Sequence, residues 1–320
     1  MSTADTGTHP RRTPGLVSVT ETLSTTERLP SAPPAEAAPP AEAAPAAGRR
    51  AGAFWRLLAS ELGLTFRRPR NLAMLAVVAV VPVVIGVSLR LFTGDEELGG
   101  MIASVTGNSL MLTFVALSAL VVLMLPITVS VVAGDALAGE ASGGTLRYLL
   151  AAPAGRTRLL AVKFLNAVVY AYAATAVVAL SALVTGLVLF PLGDVTLLSG
   201  TTISMAEGLL RMAIAVGYVG LGMAALSAVA LAVSAFTEAP IGAIAGTVVL
   251  VIACQVLRAI PALDAIAPYL LPTRFAGFDA VLRSPIDTGA LMEGVLTFGG
   301  YIAMALTIAW ARFSGKDITS

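Results

Sequence analysis

The sequence predicts an all-α membrane protein of six transmembrane helices, and three observations carry that expectation. Six hydrophobic windows are free of charge, or nearly so, and each is long enough to cross the ~30 Å hydrocarbon layer. An amphipathic stretch precedes the first window, and a polar insert, residues 134–158, separates the second from the third. Composition agrees: 57% of residues are hydrophobic and 12% charged, about half the charged share of ordinary soluble domains.

The inventory also excludes several functions. A net charge of +1 lacks the basic footprint of a nucleic-acid binder. Cys254 is the single cysteine, so no intrachain disulfide can form, and His9 in the N-terminal tail is the single histidine. Histidine-based catalysis or metal binding inside the membrane is therefore ruled out, and no metal site is expected.

Residues 1–50 read as a disordered Pro/Ala-rich tail with too little apolar side chain to offset the entropy of ordering. The tail has no apolar core of a secretory signal peptide and is expected to stay in the cytoplasm. Over 51–70, Phe54, Leu58, Leu62 and Phe66 recur every four residues beside Trp55, with Arg56, Ser60, Glu61 and Arg67 on other faces. That spacing predicts an interfacial amphipathic helix, its basic end of Arg67, Arg68 and Arg70 near anionic lipid, with Pro69 breaking the helix before the first span.

The six-span domain, 71–320, places its spans at about 71–92, 107–133, 160–190, 209–236, 240–257 and 290–312. Met212–Leu257 would be about 69 Å long as one helix at ~1.5 Å per residue, so the chain must turn near Glu238, with Pro240 suited to a first helical position. Pro82 and Pro126 are expected to kink spans one and two. Between spans five and six, Pro261, Pro268 and Pro272 chop an apolar run into short helices that dip into the outer leaflet. Twelve basic residues flank the N-terminal side, the insert and the C-terminus, against five on the opposite side, which places both termini in the cytoplasm.

In the insert, Gly134 is expected to end span two and Asp135 to cap a following helix. Spacing alone leaves two readings, a rigid lever for a partner domain or a solvated loop. The spans carry neutral polar residues instead of ionisable ones, among them Asn108, Thr113, Asn166, Tyr170 and Gln255. A proton- or sodium-coupled carrier would keep a mid-membrane carboxylate. These neutral residues are candidates for a cargo pathway, interhelical hydrogen bonding being the alternative for each.

The run Gly134-Asp135, Ala138-Gly139-Glu140, Gly144-Thr145-Leu146-Arg147, Pro153, Arg156 and Lys163-Phe164 resembles the signature loop of ABC-2 type transporter permeases. The six spans, the basic interfacial helix and the long segment before span six are similar to that family as well. The resemblance implies that the insert is a cytoplasmic coupling helix docking into a separate ABC ATPase, with Asp135, Glu140, Thr145, Leu146, Arg147 and Arg156 at the junction. It implies that Trp55, Glu61, Arg67 and Arg68 mark the interfacial helix. Helix capping stays an equal alternative for Asp135. No phosphate-cradling Gly-x-x-x-x-Gly-Lys-[Ser/Thr] occurs, so this chain is expected to bind no cofactor, while two copies of the partner ATPase use ATP and Mg. Six spans imply a homodimer or a sister permease, in membrane lipid, with no nucleic acid. The function implied is export of an amphipathic or hydrophobic cargo across the cytoplasmic membrane, without enzymatic activity in this chain. The alternative is a non-transporting assembly protein that recruits a cytoplasmic partner.

Overall fold

The computed structural model describes residues 46–91, 108–144, 155–191, 193, 195–196 and 201–314. Its elements, in chain order, are α1 (Ala46–Arg67), α2 (Pro69–Leu91), α3 (Met111–Val121), α4 (Met124–Ser142), α5 (Arg156–Leu189), β1 (Val195–Thr196), β2 (Thr202–Ile203), α6 (Met205–Phe236), α7 (Pro240–Arg258), α8 (Leu271–Phe275) and α9 (Thr288–Ser314). Among the described residues, α2, α4, α5, α6, α7 and α9 are long and apolar enough to cross a membrane, so the chain is a multi-pass membrane protein.

Proline and capping chemistry set the boundaries. Pro69 separates α1 from α2, and Pro240 opens α7 at its first turn, where its missing N–H is no loss. Ser204 caps α6 by accepting a hydrogen bond from Glu207 N at 3.3 Å, and Asp287 Oδ1 accepts from Ala290 N at 3.0 Å at the start of α9. The amphipathic helix α1 begins at Ala46, a few residues earlier than its stripe indicates.

Two expectations about the second span need correction. The window 107–133 is not one helix: α3 stops at Val121 and α4 starts at Met124. Asp135 caps nothing, because α4 runs unbroken through Gly134 and Asp135 to Ser142. The glycine does not end the helix because a neighbour needs its missing side chain. A Cβ at Gly134 would lie 3.1–3.3 Å from Ile244 of α7, side chain and backbone. Ser234 of α6 supports the same turn, its Oγ donating to Gly134 O at 2.6 Å and accepting from Leu137 N and Ala138 N.

The bundle is built around α6, which packs on α4, α5, α7 and α9. Its inner face is rich in small residues, Gly220, Gly222, Ala224, Ala225 and Ala228, so partner helices approach closely. At Gly220 an added Cβ would collide with the Tyr172 ring, 2.5 Å away. Outward faces of α2, α7 and α9 present Val80, Val84, Val249, Ile252, Leu296 and Met304, side chains suited to acyl chains.

One end of the bundle, called proximal here, holds α1, the end of α4 and the start of α5; the last turns of α9 join it, where Trp310 Nε1 donates to Thr157 Oγ1 at 3.1 Å. The distal end holds the β1–β2 pair, in register Val195↔Ile203, and the short helices between α7 and α9. That the segment with Pro261, Pro268 and Pro272 breaks into short helices is as expected. They are fastened by Arg211, 5% exposed, whose Nη1 donates to Val281 O (2.6 Å) and Arg283 O (2.8 Å) while Nη2 meets Glu207 Oε1 (2.7 Å). Tyr218 OH donates to Arg274 O at 2.9 Å, and its ring packs edge-on against Phe298.

Candidate functional site

At the proximal end, charges far apart in sequence converge where α1, α2, α4 and α5 meet. Helical spacing on α1 turns Leu58 and Thr65 inward and leaves Trp55 exposed, its ring edge-on to Phe54. Glu61, one turn from each inward residue, then reaches Lys163 near the start of α5. Lys163 Nζ lies 2.9 Å from both Glu61 carboxylate oxygens and 3.0 Å from Glu140 Oε1 of α4. The ammonium is buried, its side chain 5% exposed, with the two carboxylates only partly open to solvent. One cation thus ties three helices together, and burial makes the loss of either charge costly.

A second ionic contact lies beside the first. Asp135 Oδ2 receives Arg68 Nη1 at 2.8 Å and Arg70 Nη2 at 2.9 Å, so α4 is held to the break between α1 and α2. These guanidinium groups are about half exposed, and the contact is correspondingly weaker. Gly139 makes room for the carboxylate, since a Cβ there would lie 2.7 Å from Asp135 Oδ1.

A neutral layer lies under the charges. Asn71 Nδ2 donates to Thr65 O and Asn166 Nδ2 to Thr65 Oγ1, both at 2.9 Å, and Tyr170 OH donates to Asn71 O at 3.1 Å. The two layers line a cleft of about 400 Å³, bounded by Glu61, Arg68, Asp135, Glu140, Lys163 and Asn166 among others. A second groove of about 490 Å³, between α1, α5 and α9, is lined by Phe54, Leu160, Phe164, Trp310 and neighbours, none of them charged. Among the described residues no group of three or more His, Cys, Asp or Glu side chains could hold a metal ion.

The sequence-derived residues distribute as follows. Asp135, Glu140, Glu61 and Arg68 come together in the junction. Arg67 is exposed at the end of α1, and Arg156 opens α5. Thr145, Leu146 and Arg147 lie outside the described residues. The five neutral residues do not form one lining. Asn166 and Tyr170 belong to the layer under the junction. Asn108 is distal, donating to Gly193 O at 3.0 Å and accepting from Leu110 N at 2.8 Å. Thr113 is buried in α3, and Gln255 on α7 donates to Val122 O. Sequence reasoning missed Arg70, Asn71 and Ser234 as contributors and did not see that Lys163 would have two carboxylates. The signal available was that Lys163 is one of only two lysines in the chain and stands one turn inside a hydrophobic span, where an ammonium requires partners.

No curated protein matches the chain. A family profile does match, over residues 79–319, which is most of the sequence and all of the spans from the middle of α2 onward. The chain therefore belongs to the family described as "Protein of unknown function (DUF2705)".

Proposed function

We propose that this chain is the membrane subunit of an ATP-driven exporter of the ABC-2 type, moving an amphipathic or hydrophobic cargo across the cytoplasmic membrane. The observation that carries the reading is the Glu61–Lys163–Glu140 bridge. It joins α1 to the two helix ends between which the insert is strung, so a push on the insert reaches α1, and through the Arg68/Arg70–Asp135 contact reaches α2. A solvated loop that only obeyed the charge rule for topology would need no such buried linkage.

In this reading the proximal end faces the cytoplasm, as does the N-terminal tail. Two copies of a cytoplasmic ABC ATPase seat beneath residues 135–158 and supply ATP and Mg chemistry that this chain lacks. Thr145, Leu146, Arg147 and Arg156 belong to that contact by resemblance to the signature loop. The permease acts as a homodimer or beside a sister subunit, in a lipid environment that α1 meets through Trp55 and the basic run after it. ATP binding closes the ATPases on each other, and the junction converts that displacement into a change of access in the bundle.

The test is nucleotide hydrolysis by a candidate ABC ATPase that associates with this chain, reconstituted with and without the permease in vesicles. Stimulation by the permease, lost in the Glu140→Ala/Arg147→Ala double variant, is the expected result. Full stimulation by that variant, or no ABC ATPase found to associate with the chain, overturns the reading.

A further inference from the structure

The break between α3 and α4 has a definite cause. Pro126 has no N–H to donate, and its ring crowds the carbonyl four residues earlier, that of Val122. The helix gives way there: Leu123 takes φ −145°, ψ −45°, and the ladder resumes with Ile127 N donating to Leu123 O at 2.9 Å. Gln255 of α7 donates through Nε2 to the displaced Val122 carbonyl at 3.3 Å. The first-turn N–H groups of α4 have no acceptor inside the helix, and no side chain caps them.

The depth of this break makes it consequential. Val122 stands 13 residues from Ser109, whose N–H reaches Pro191 O beyond the distal end of α5, and 13 from Asp135 in the proximal junction. At ~1.5 Å per residue each stretch is about 20 Å, so the break sits near the middle of the hydrocarbon layer. Yet Val122 is 49% and Met124 44% exposed. Irregular backbone at this depth survives only where protein buries it or water wets it, since an unsatisfied peptide group in hydrocarbon costs several kcal/mol.

Pro82 in α2 shows the other outcome. There the helix runs unbroken from Pro69 to Leu91, and Ser181 of α5 donates to Ala79 O beside the disturbed turn. Both prolines are buried, but at Pro126 the helix breaks and the broken turn leaves Val122 and Met124 exposed.

We infer that Val122–Met124 form part of the wall of a water-filled passage at mid-membrane, with Gln255 as the polar pin that holds α7 against the broken turn. This rests on the transport part of the reading above and not on its ATPase part. In the passage the N–H groups of Leu123 and Met124 are hydrated while no cargo is present, and the wall offers donors in an otherwise apolar path.

Thiol accessibility tests this without any partner ATPase. Cys254 is the only cysteine, so Cys254→Ala gives a silent background in the full chain. Val122→Cys and Met124→Cys are compared with Val80→Cys, which is 56% exposed and lies 11 residues from either end of α2. A charged methanethiosulfonate reagent attacks the thiolate, which forms only where water reaches the thiol. Labelling of the first two at least tenfold faster than Val80→Cys is expected, with a lipophilic maleimide confirming that every variant is inserted. Adding Pro126→Ala to Met124→Cys should close the turn and slow labelling severalfold, and adding Gln255→Leu should change it by a similar factor. Rates equal to Val80→Cys overturn the inference, and so does slow labelling with efficient Val122→Cys disulfide formation between copies, which marks a dry dimer contact. Rates indifferent to both Pro126→Ala and Gln255→Leu overturn the pin. A failure of ATPase stimulation with fast labelling would sink only the choice of engine.

Discussion

Lys163 and Arg211 are both buried cations at opposite ends of the same bundle, and their partners differ in kind. Lys163 meets two carboxylates on side chains of two other helices, α1 and α4. Arg211 meets a carboxylate on its own helix and two backbone carbonyls of one short segment. A guanidinium presents a fixed fork that matches carbonyls held by the main chain, whereas an ammonium is a point charge that tolerates its partners shifting around it. The distal end is thus pinned as a lid of fixed shape. The proximal end is a joint whose three members can move relative to one another without losing their neutralisation.

The largest expected effect comes from emptying the joint. Lys163→Met removes the ammonium that ties the partly buried carboxylates of Glu61 and Glu140 together, at a cost of about 3–5 kcal/mol. Thermal unfolding of the detergent-solubilised chain reads this, and adding Glu61→Gln with Glu140→Gln should recover most of it. A loss below about 1 kcal/mol would make the bridge a surface ion pair and erase the contrast.

Next is Arg211→Leu, which leaves the carbonyls of Val281 and Arg283 without their donor and removes the clamp, costing about 2–3 kcal/mol. Hydrogen exchange should rise in 276–283 and stay unchanged in α1 and α4. Spread of the effect to the proximal helices would show that the two ends are not independent.

Gly294→Ala sharpens the view of the distal lid as a fixed shape. An added Cβ would come within 1.9 Å of the Tyr218 hydroxyl, which is held by Arg274 O, and overpacking of this kind costs about 1–3 kcal/mol. Unfolding midpoints measure it. No change would mean that the lid yields as readily as the joint.

The smallest effect belongs to Asp135→Asn. Arg68 and Arg70 are about half exposed, so the loss should stay at or below about 1 kcal/mol and shrink further as salt is raised. A difference from the natural chain that is independent of ionic strength would show a buried role that the geometry does not suggest.

How much of this was readable beforehand differs by element. The Pro69 break, the turn at Glu238 with Pro240 opening α7, and the short helices between α7 and α9 follow from local proline chemistry, and the structure has all three. The continuity of α4 through Gly134 and Asp135 was not readable. It depends on Ile244 and Ser234, about a hundred residues away, taking up the space and the hydrogen bonds that a helix end would otherwise release. In the site, Glu61, Arg68, Asp135 and Glu140 were picked out singly, but their pairing through Lys163 and Arg70 was not, because charge spacing along a chain does not say which helices will be neighbours.

Hydropathy, proline positions and charge counts by themselves determined that the polypeptide is a bundle of six membrane-crossing helices with an amphipathic helix ahead of them, since transfer to hydrocarbon is a property of each segment alone. Only tertiary packing decided which ions meet, whether a glycine ends a helix, and which of two prolines breaks its span. Those outcomes depend on what a neighbouring helix places against the disturbed backbone or the missing side chain: Ser181 on the Ala79 carbonyl beside Pro82, Gln255 on the Val122 carbonyl freed by Pro126.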